Sequence, residues 1–309
     1  MATSLAPVEY TLLLPNSWVD CLRFERALQR CGNALGAAFT TVVIKVPAGC
    51  KMMIDVVIRF LSFCNQLVAC TKRVRLEFSG GKDMMGYLDR MGFFDHLSNE
   101  VDVAPYRPTW SGASRHRGAN RGLVEIEGFS RKNTADTKLV QRLAQTVERG
   151  CASRPEVAEI GEAIFSIFGE LIANVHDHSH TSLDAFAALQ TYPQGNRVTV
   201  AVSDSGIGIM QSLRPSLIGD RWHELSDVDL LVEVFREGLS SKNEDKRGLG
   251  LKSSARHAIG FKADLDVRLP SQRVLLKPAD NEYQPNMAYS QDRLPLLWGT
   301  HISFSLKLD

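Results

Sequence analysis

Over the first hundred residues two periods of apolar spacing take turns. Short runs rich in β-branched and aromatic side chains at 10–14, 41–46 and 73–78 read as strands, each followed by proline or by a serine–glycine turn. Apolar residues recur three and four apart over 18–30, 52–70 and 83–91, the spacing of helices that bury one side. In the longest of these, Ile54, Val57, Ile58, Leu61, Cys64 and Val68 form the stripe, and Gly92 stops the last one. Strands separated by helices predict a small α/β layer domain with a mainly parallel sheet over residues 1–103.

The pattern changes at 104–122. Proline, glycine and serine gather there with Arg107, Arg115, Arg117 and Arg121 and no acidic residue, the composition of a linker. It reads as a solvated connector, with an anion- or partner-binding arm as the alternative. From 123 to 309 the order is a strand at 123–126, a helix at 136–148 with Thr134 as N-cap, and a longer helix at 156–178. Strands follow at 185–191 and Arg197–Ser203, then a loop-rich stretch over 206–247, a helix from Gly248, and strands at 263–269, 273–277 and 301–308. Strands in runs with helices gathered elsewhere predict α+β packing, one mixed sheet covered on one face.

Composition narrows the class. With 44% hydrophobic and 23% charged residues the chain fits an ordinary globular protein, not a collagenous, disordered or coiled-coil one. Thirty-six Lys+Arg against 35 Asp+Glu leave a net charge of +1, so nucleic acid is expected only through the basic segment. Asp55, Arg59, Asn65 and Gln66 interrupt the most apolar stretch and argue against a membrane span. The six cysteines form no C-x-x-C pair, and the first residues lack the basic and apolar regions of a signal peptide. Reduced thiols and cytoplasmic residence are therefore expected.

Four short motifs carry candidate chemistry. On the long helix Glu170 and Asn174 lie four apart and share a face, with Asp177 and His178 on the next turns. A carboxamide oxygen suits a hard cation such as Mg²⁺, and a carboxylate one turn away can deprotonate a water; alone, the same face reads as solvated polar surface. His176 and His180 share a helix face that His178 does not, so the three do not converge on one ion. After the strand at Arg197–Ser203 comes Asp204-Ser205-Gly206-Ile207-Gly208. A buried carboxylate there can accept the exocyclic amine of adenine and would repel the carbonyl of guanine, while the glycines allow close backbone approach; alone, the same residues read as a sharp turn. Arg247-Gly248-Leu249-Gly250 opens a helix whose free N–H groups can face an anion, beside a loop carrying Lys242. Gly299-Thr300 leads into the last strand, where the hydroxyl can reach a base.

This succession, E-x-x-x-N, D-x-G-x-G, a loop, G-x-G at a helix start and G-T at a terminal strand, resembles the GHKL family of gyrase, histidine kinases and MutL over residues 123–309. The resemblance implies a Bergerat-type ATP-binding sandwich with ATP and Mg²⁺ as ligands. By it, Glu170 is the catalytic base and Asn174 the Mg²⁺ ligand. Asp204, Gly206, Gly208 and Thr300 form the adenine site, and Lys242, Arg247, Gly248, Leu249 and Gly250 lie on the phosphates, with Asp177 and His178 nearby. The segment ELIANVHDHS is most similar to anti-sigma serine kinases. The first hundred residues look like a STAS domain, but Lys51-Met52-Met53-Ile54-Asp55 offers no hydroxyl at the expected phosphoacceptor position. The resemblance thus implies a slow ATPase whose lid, from about Gly219 to Arg247, orders on nucleotide and switches a protein partner held by the first domain or the lid. A serine/threonine kinase, a non-hydrolysing ATP-gated module, and a homodimer remain open beside it.

Overall fold

Residues 9–117, 119, 122–130, 137–150, 155–239 and 249–307 are described by the computed structural model. In the first part, β1 (Glu9–Leu13), β2 (Trp18–Val19), α1 (Cys21–Cys31), β3 (Thr41–Pro47), β4 (Lys51–Met52), α2 (Ile54–Ala69), β5 (Arg73–Ser79), α3 (Lys82–Met91), α4 (Phe93–His96) and β6 (Asp102–Ala104) follow one another. Strands β1, β3, β5 and β6 form a parallel sheet in that order. The helix expected from residue 18 starts later. Asp20 caps it by accepting from the Arg23 N–H at 2.8 Å, and this frees Trp18 and Val19 to pair with β4.

A short helix, α5 (Gly112–His116), precedes β7 (Leu123–Phe129), α6 (Thr137–Gly150), α7 (Val157–His178), β8 (Ala185–Tyr192), β9 (Arg197–Ser203), α8 (Ile209–Leu213) and α9 (Asp227–Glu237). Then come α10 (Leu249–Gly260), β10 (Asp264–Leu269), β11 (Gln272–Ala279), β12 (Glu282–Pro285) and β13 (His301–Lys307). The second sheet has the order β12-β11-β10-β13-β9-β8-β7, and every pairing in it is antiparallel, not mixed as expected. The architecture is α+β.

The larger correction concerns its faces. Helices α6, α7 and α10 gather on one side, and α2 lies against β8 and β9 on the other. Along β8 the alternation divides two cores: Ala185, Ala187 and Leu189 enter the cluster around α7, while Phe186 and Ala188 enter the cluster around α2. A continuous apolar run in a strand is the signature of a sheet covered on both faces. Helix α2 has the matching signature, with twelve of its sixteen residues buried, because it is packed between the two sheets. The molecule is therefore a stack of sheet, helices, sheet and helices.

The stretch expected to be a solvated connector is mostly exposed where it is described, and a few polar contacts tie it to the body. Arg107 donates to the carbonyls of Phe94, Leu97 and Ser98, and the Gly112 N–H donates to Asp89 at 3.0 Å. Arg117 pairs with Glu127 at 2.6 Å. The expected loop over 206–247 also holds a helix: Ser226 caps α9 by accepting from the Asp229 N–H, Leu230, Leu231, Val234 and Phe235 are buried, and Gly238 ends it at φ 73°. Within the expected lid α9 thus packs on the body, while 240–248 lie outside the described residues, as does the proposed N-cap Thr134. Among the described residues no helix is long and apolar enough to cross a membrane, and the five cysteines described are free thiols.

Candidate functional site

The pairing of β9 with β13 fixes the site's centre. His301 faces Ser203 in register, and one step beyond the strand ends the Asp204 N–H donates to the Thr300 carbonyl at 3.1 Å. Asp204 and Thr300 are thereby set side by side at the rim of the sheet. The carboxylate is held at both oxygens: Oδ1 accepts from the Gly206 N–H at 2.8 Å and Oδ2 from the Thr300 N–H at 2.9 Å. Asp204 is only 6% exposed. Burial pushes its pKa up to about 6, against the opposing pull of those two N–H groups.

Glycine is required twice here by close approach. A Cβ on Gly206 would lie 2.0 Å from the Ser179 carbonyl oxygen, and the neighbouring Ile207 N–H donates to that same oxygen at 2.9 Å, docking the turn on the end of α7. A Cβ on Gly299 would lie 2.1 Å from the Asp204 carbonyl oxygen, and its φ of 87° is left-handed.

Above Asp204 opens a pocket of about 50 Å³, continuous with solvent. Leu171, Val175, Val202, Ile209, Leu251 and Ile302 form its apolar walls, and Asn174, Ser179, Asp204, Gly208 and Thr300 supply its polar positions. The Thr300 hydroxyl oxygen accepts from the Ile209 N–H at 2.9 Å, which leaves its proton to donate elsewhere. Asn174 Nδ2 is buried without a hydrogen-bond partner, a polar group that a bound molecule would satisfy. Glu170 stands one turn, about 6 Å, before Asn174 on α7 and is half-buried. Burial first, and then the charge of Asp177, raise its pKa. A carboxyl raised in this way is a better proton acceptor than a free surface acid.

Four expected site residues, Asn174, Asp204, Gly208 and Thr300, line this one pocket, and Gly206 sits in the turn behind it. Leu249 and Gly250 are the first residues of α10, whose Leu251 reaches the pocket, so the helix starts at the site. Lys242, Arg247 and Gly248, and the side chains of His178 and Leu249, lie outside the described residues, and Gly250 is described only by its place in α10. Asp177 contributes its charge to Glu170 from the next turns of α7.

The sequence did not single out His301. It is buried behind Thr300, and burial, then Arg59 and Arg268, hold its pKa well below the ordinary value. It is neutral, and its Nδ1 meets the Ser203 hydroxyl. Nor did it single out Ser179, Val202 or Ile302, which no short motif marks; only the strand register and the end of α7 bring them to the pocket.

A cation here fits only in a particular way. Among the described residues no group of three or more His, Cys, Asp or Glu could hold a metal ion. Asn174 offers one carboxamide, so Mg²⁺ would need further oxygens from a phosphate-bearing ligand. No protein-family model matches the chain, and no curated protein matches its sequence.

Proposed function

We propose that the chain binds ATP with Mg²⁺ in this pocket, as a Bergerat-type fold of the GHKL kind preceded by a STAS-like domain, and hydrolyses it slowly. The observation that carries the reading is the buried Asp204 carboxylate, held by two backbone N–H groups and facing an apolar pocket. Each oxygen keeps a lone pair for the exocyclic amine of adenine, and a guanine carbonyl in the same place would be repelled. Thr300 has a hydroxyl proton to donate beside it. The Asn174 carboxamide would hold Mg²⁺ together with phosphate oxygens, and the ion supplies charge neutralisation at the phosphates. Half-buried Glu170, with its raised pKa, orients the attacking water and accepts its proton. ATP at the rim of a sheet that carries the first domain on its other face supports a regulatory role, with nucleotide occupancy altering what the protein binds.

Incubation with γ-labelled ATP tests this directly. Free phosphate is expected; label on protein would instead make the chain a serine/threonine kinase, and neither would leave a binding module. Asp204→Asn replaces an acceptor with a donor facing the amine and is expected to weaken ATP by tenfold or more, about 1.5–3 kcal/mol. Unchanged affinity would sink the adenine assignment. Glu170→Ala is expected to keep binding and lower turnover by about 10²–10⁴-fold.

A further inference from the structure

The two halves of the candidate base site hang from one side chain on the far side of the sheet. Gln66, fully buried on α2, donates from Nε2 to the Ser205 hydroxyl at 2.9 Å and to the Trp298 carbonyl at 3.0 Å. Its Oε1 accepts from the Trp298 N–H at 2.8 Å. Ser205 follows Asp204 directly, and Trp298 precedes Thr300 by two residues, across Gly299 with its left-handed φ. One turn earlier on the same helix, Ser62 bonds the Ser203 hydroxyl at 2.8 Å, on the other flank of Asp204. Asp204 is thus bracketed by two residues tied to α2, and Thr300 follows a segment tied to the same helix. A carboxamide that grips both the N–H and the C=O of Trp298 acts as a short piece of extra strand. Among the hydrogen bonds described, Gln66 is the one side chain of the first half that holds Ser205 and Trp298, beside the backbone tie of Ile207 to Ser179 at the end of α7.

We propose that Gln66 is a positioning residue for base recognition, so that the first domain sets the nucleotide specificity of the second. The proposal rests on the ATP reading of the pocket. Gln66 touches no ligand. Behind the direct bonds between Asp204 and Thr300 it braces the separation of the carboxylate from the Thr300 hydroxyl, and that separation decides whether one base edge can meet both. Anything bound to the first domain that shifts α2 changes the affinity for the base, and by linkage the base changes the affinity for that ligand by the same factor.

The test uses the full chain with Gln66→Met, which keeps an unbranched side chain of similar size and removes all three hydrogen bonds. Calorimetric affinities are measured for ATP and for ITP, whose base bears a carbonyl in place of the amine. ATP is expected to weaken about tenfold or more while ITP changes little, so that discrimination falls. Loss of both in equal proportion would mean a merely structural role and overturn the proposal. Ser205→Ala removes one of the three bonds and is expected to act in the same direction to a smaller extent, which keeps the question decidable if Gln66→Met does not fold. Amide hydrogen exchange without nucleotide separates the two readings: in the variant, 203–207 and 298–301 are expected to exchange faster while α7 keeps its protection. Unchanged exchange there overturns the clamp whatever the ligand. A wild-type chain that fails to prefer ATP overturns the adenine assignment and leaves the exchange result to decide the clamp.

Discussion

Asp204 shows what a single residue contributes when its surroundings are included. Its carboxyl is raised to about 6 because burial outweighs the two N–H groups that favour the charge. Between the ordinary carboxylate range and about pH 6 the folded chain therefore holds a proton that the unfolded chain has lost, and this residue's contribution to stability falls as pH rises through that window. On the proposed ATP reading, base recognition would have the opposite dependence, since the amine needs the ionised acceptor. Affinity for ATP is expected to be flat above about pH 7 and to fall by about tenfold per unit well below pH 6, a slope that Asp204→Asn should remove. Calorimetric titrations between about pH 5 and 8 check this. The D-x-G-x-G spacing made the acid and its glycines legible in the sequence. It did not show that one of the two N–H partners comes from Thr300, almost a hundred residues later, because that depends on strand register.

At the scale of elements, the same amino acid has opposite meanings according to what its missing Cβ would meet. Gly206 abuts the backbone of Ser179, which cannot give way, so Gly206→Ala is expected to cost about 1–3 kcal/mol or more and to push the turn off the end of α7. Gly169, in the interior of α7, has nothing within 4 Å, and there alanine restricts only the unfolded chain. Gly169→Ala should stabilise by about 0.5–1 kcal/mol. Thermal and urea unfolding of the two variants should shift in opposite directions; a stabilised Gly206→Ala would contradict the docking of the turn. Most elements were legible from periodicity, since α7, β8 and β9 follow it almost to the residue. Helix α9 was not, because polar residues and glycines around it masked a short apolar stripe that only α10 and β12 explain.

For the whole molecule, the decisive feature is the layer of charge trapped between the two halves. Arg59 on α2 reaches Glu25 on α1 and Asp266 on β10, each at 3.1 Å, while Arg268 meets Glu25 at 3.0 Å and Arg273 meets Asp266. Burial alone would raise the Asp266 carboxyl, but Arg273 and Arg59 outweigh it and hold it below the ordinary range. Asp266 therefore contributes stability that is present above the ordinary carboxylate pKa and lost as pH falls through its own lower value. Arg59→Ala leaves Glu25 and Asp266 undercompensated and should cost about 3–5 kcal/mol. Because the cluster joins helices α1 and α2 of the first half to strands β10 and β11 of the second sheet, the halves are expected to unfold in one transition. Two separate calorimetric transitions in the wild-type chain would contradict that coupling.

By itself the sequence determined the periods of its strands and helices, and three of its four short motifs marked residues that line one pocket at the rim of a sheet. Those signals are local: side chains a few residues apart either share a face or do not. The expectation of a sheet covered on one face failed even though the apolar run in β8 and the all-round burial of α2 were written in the chain, because neither names its partner. Only the tertiary structure decided that α2 fills the second face of the sheet, that Gln66 grips the loops at Ser205 and Trp298 from behind, and that Arg59 takes one acid from helix α1 and one from strand β10. Buried polar groups must find partners wherever the fold brings them, and that choice is made by packing across the whole chain.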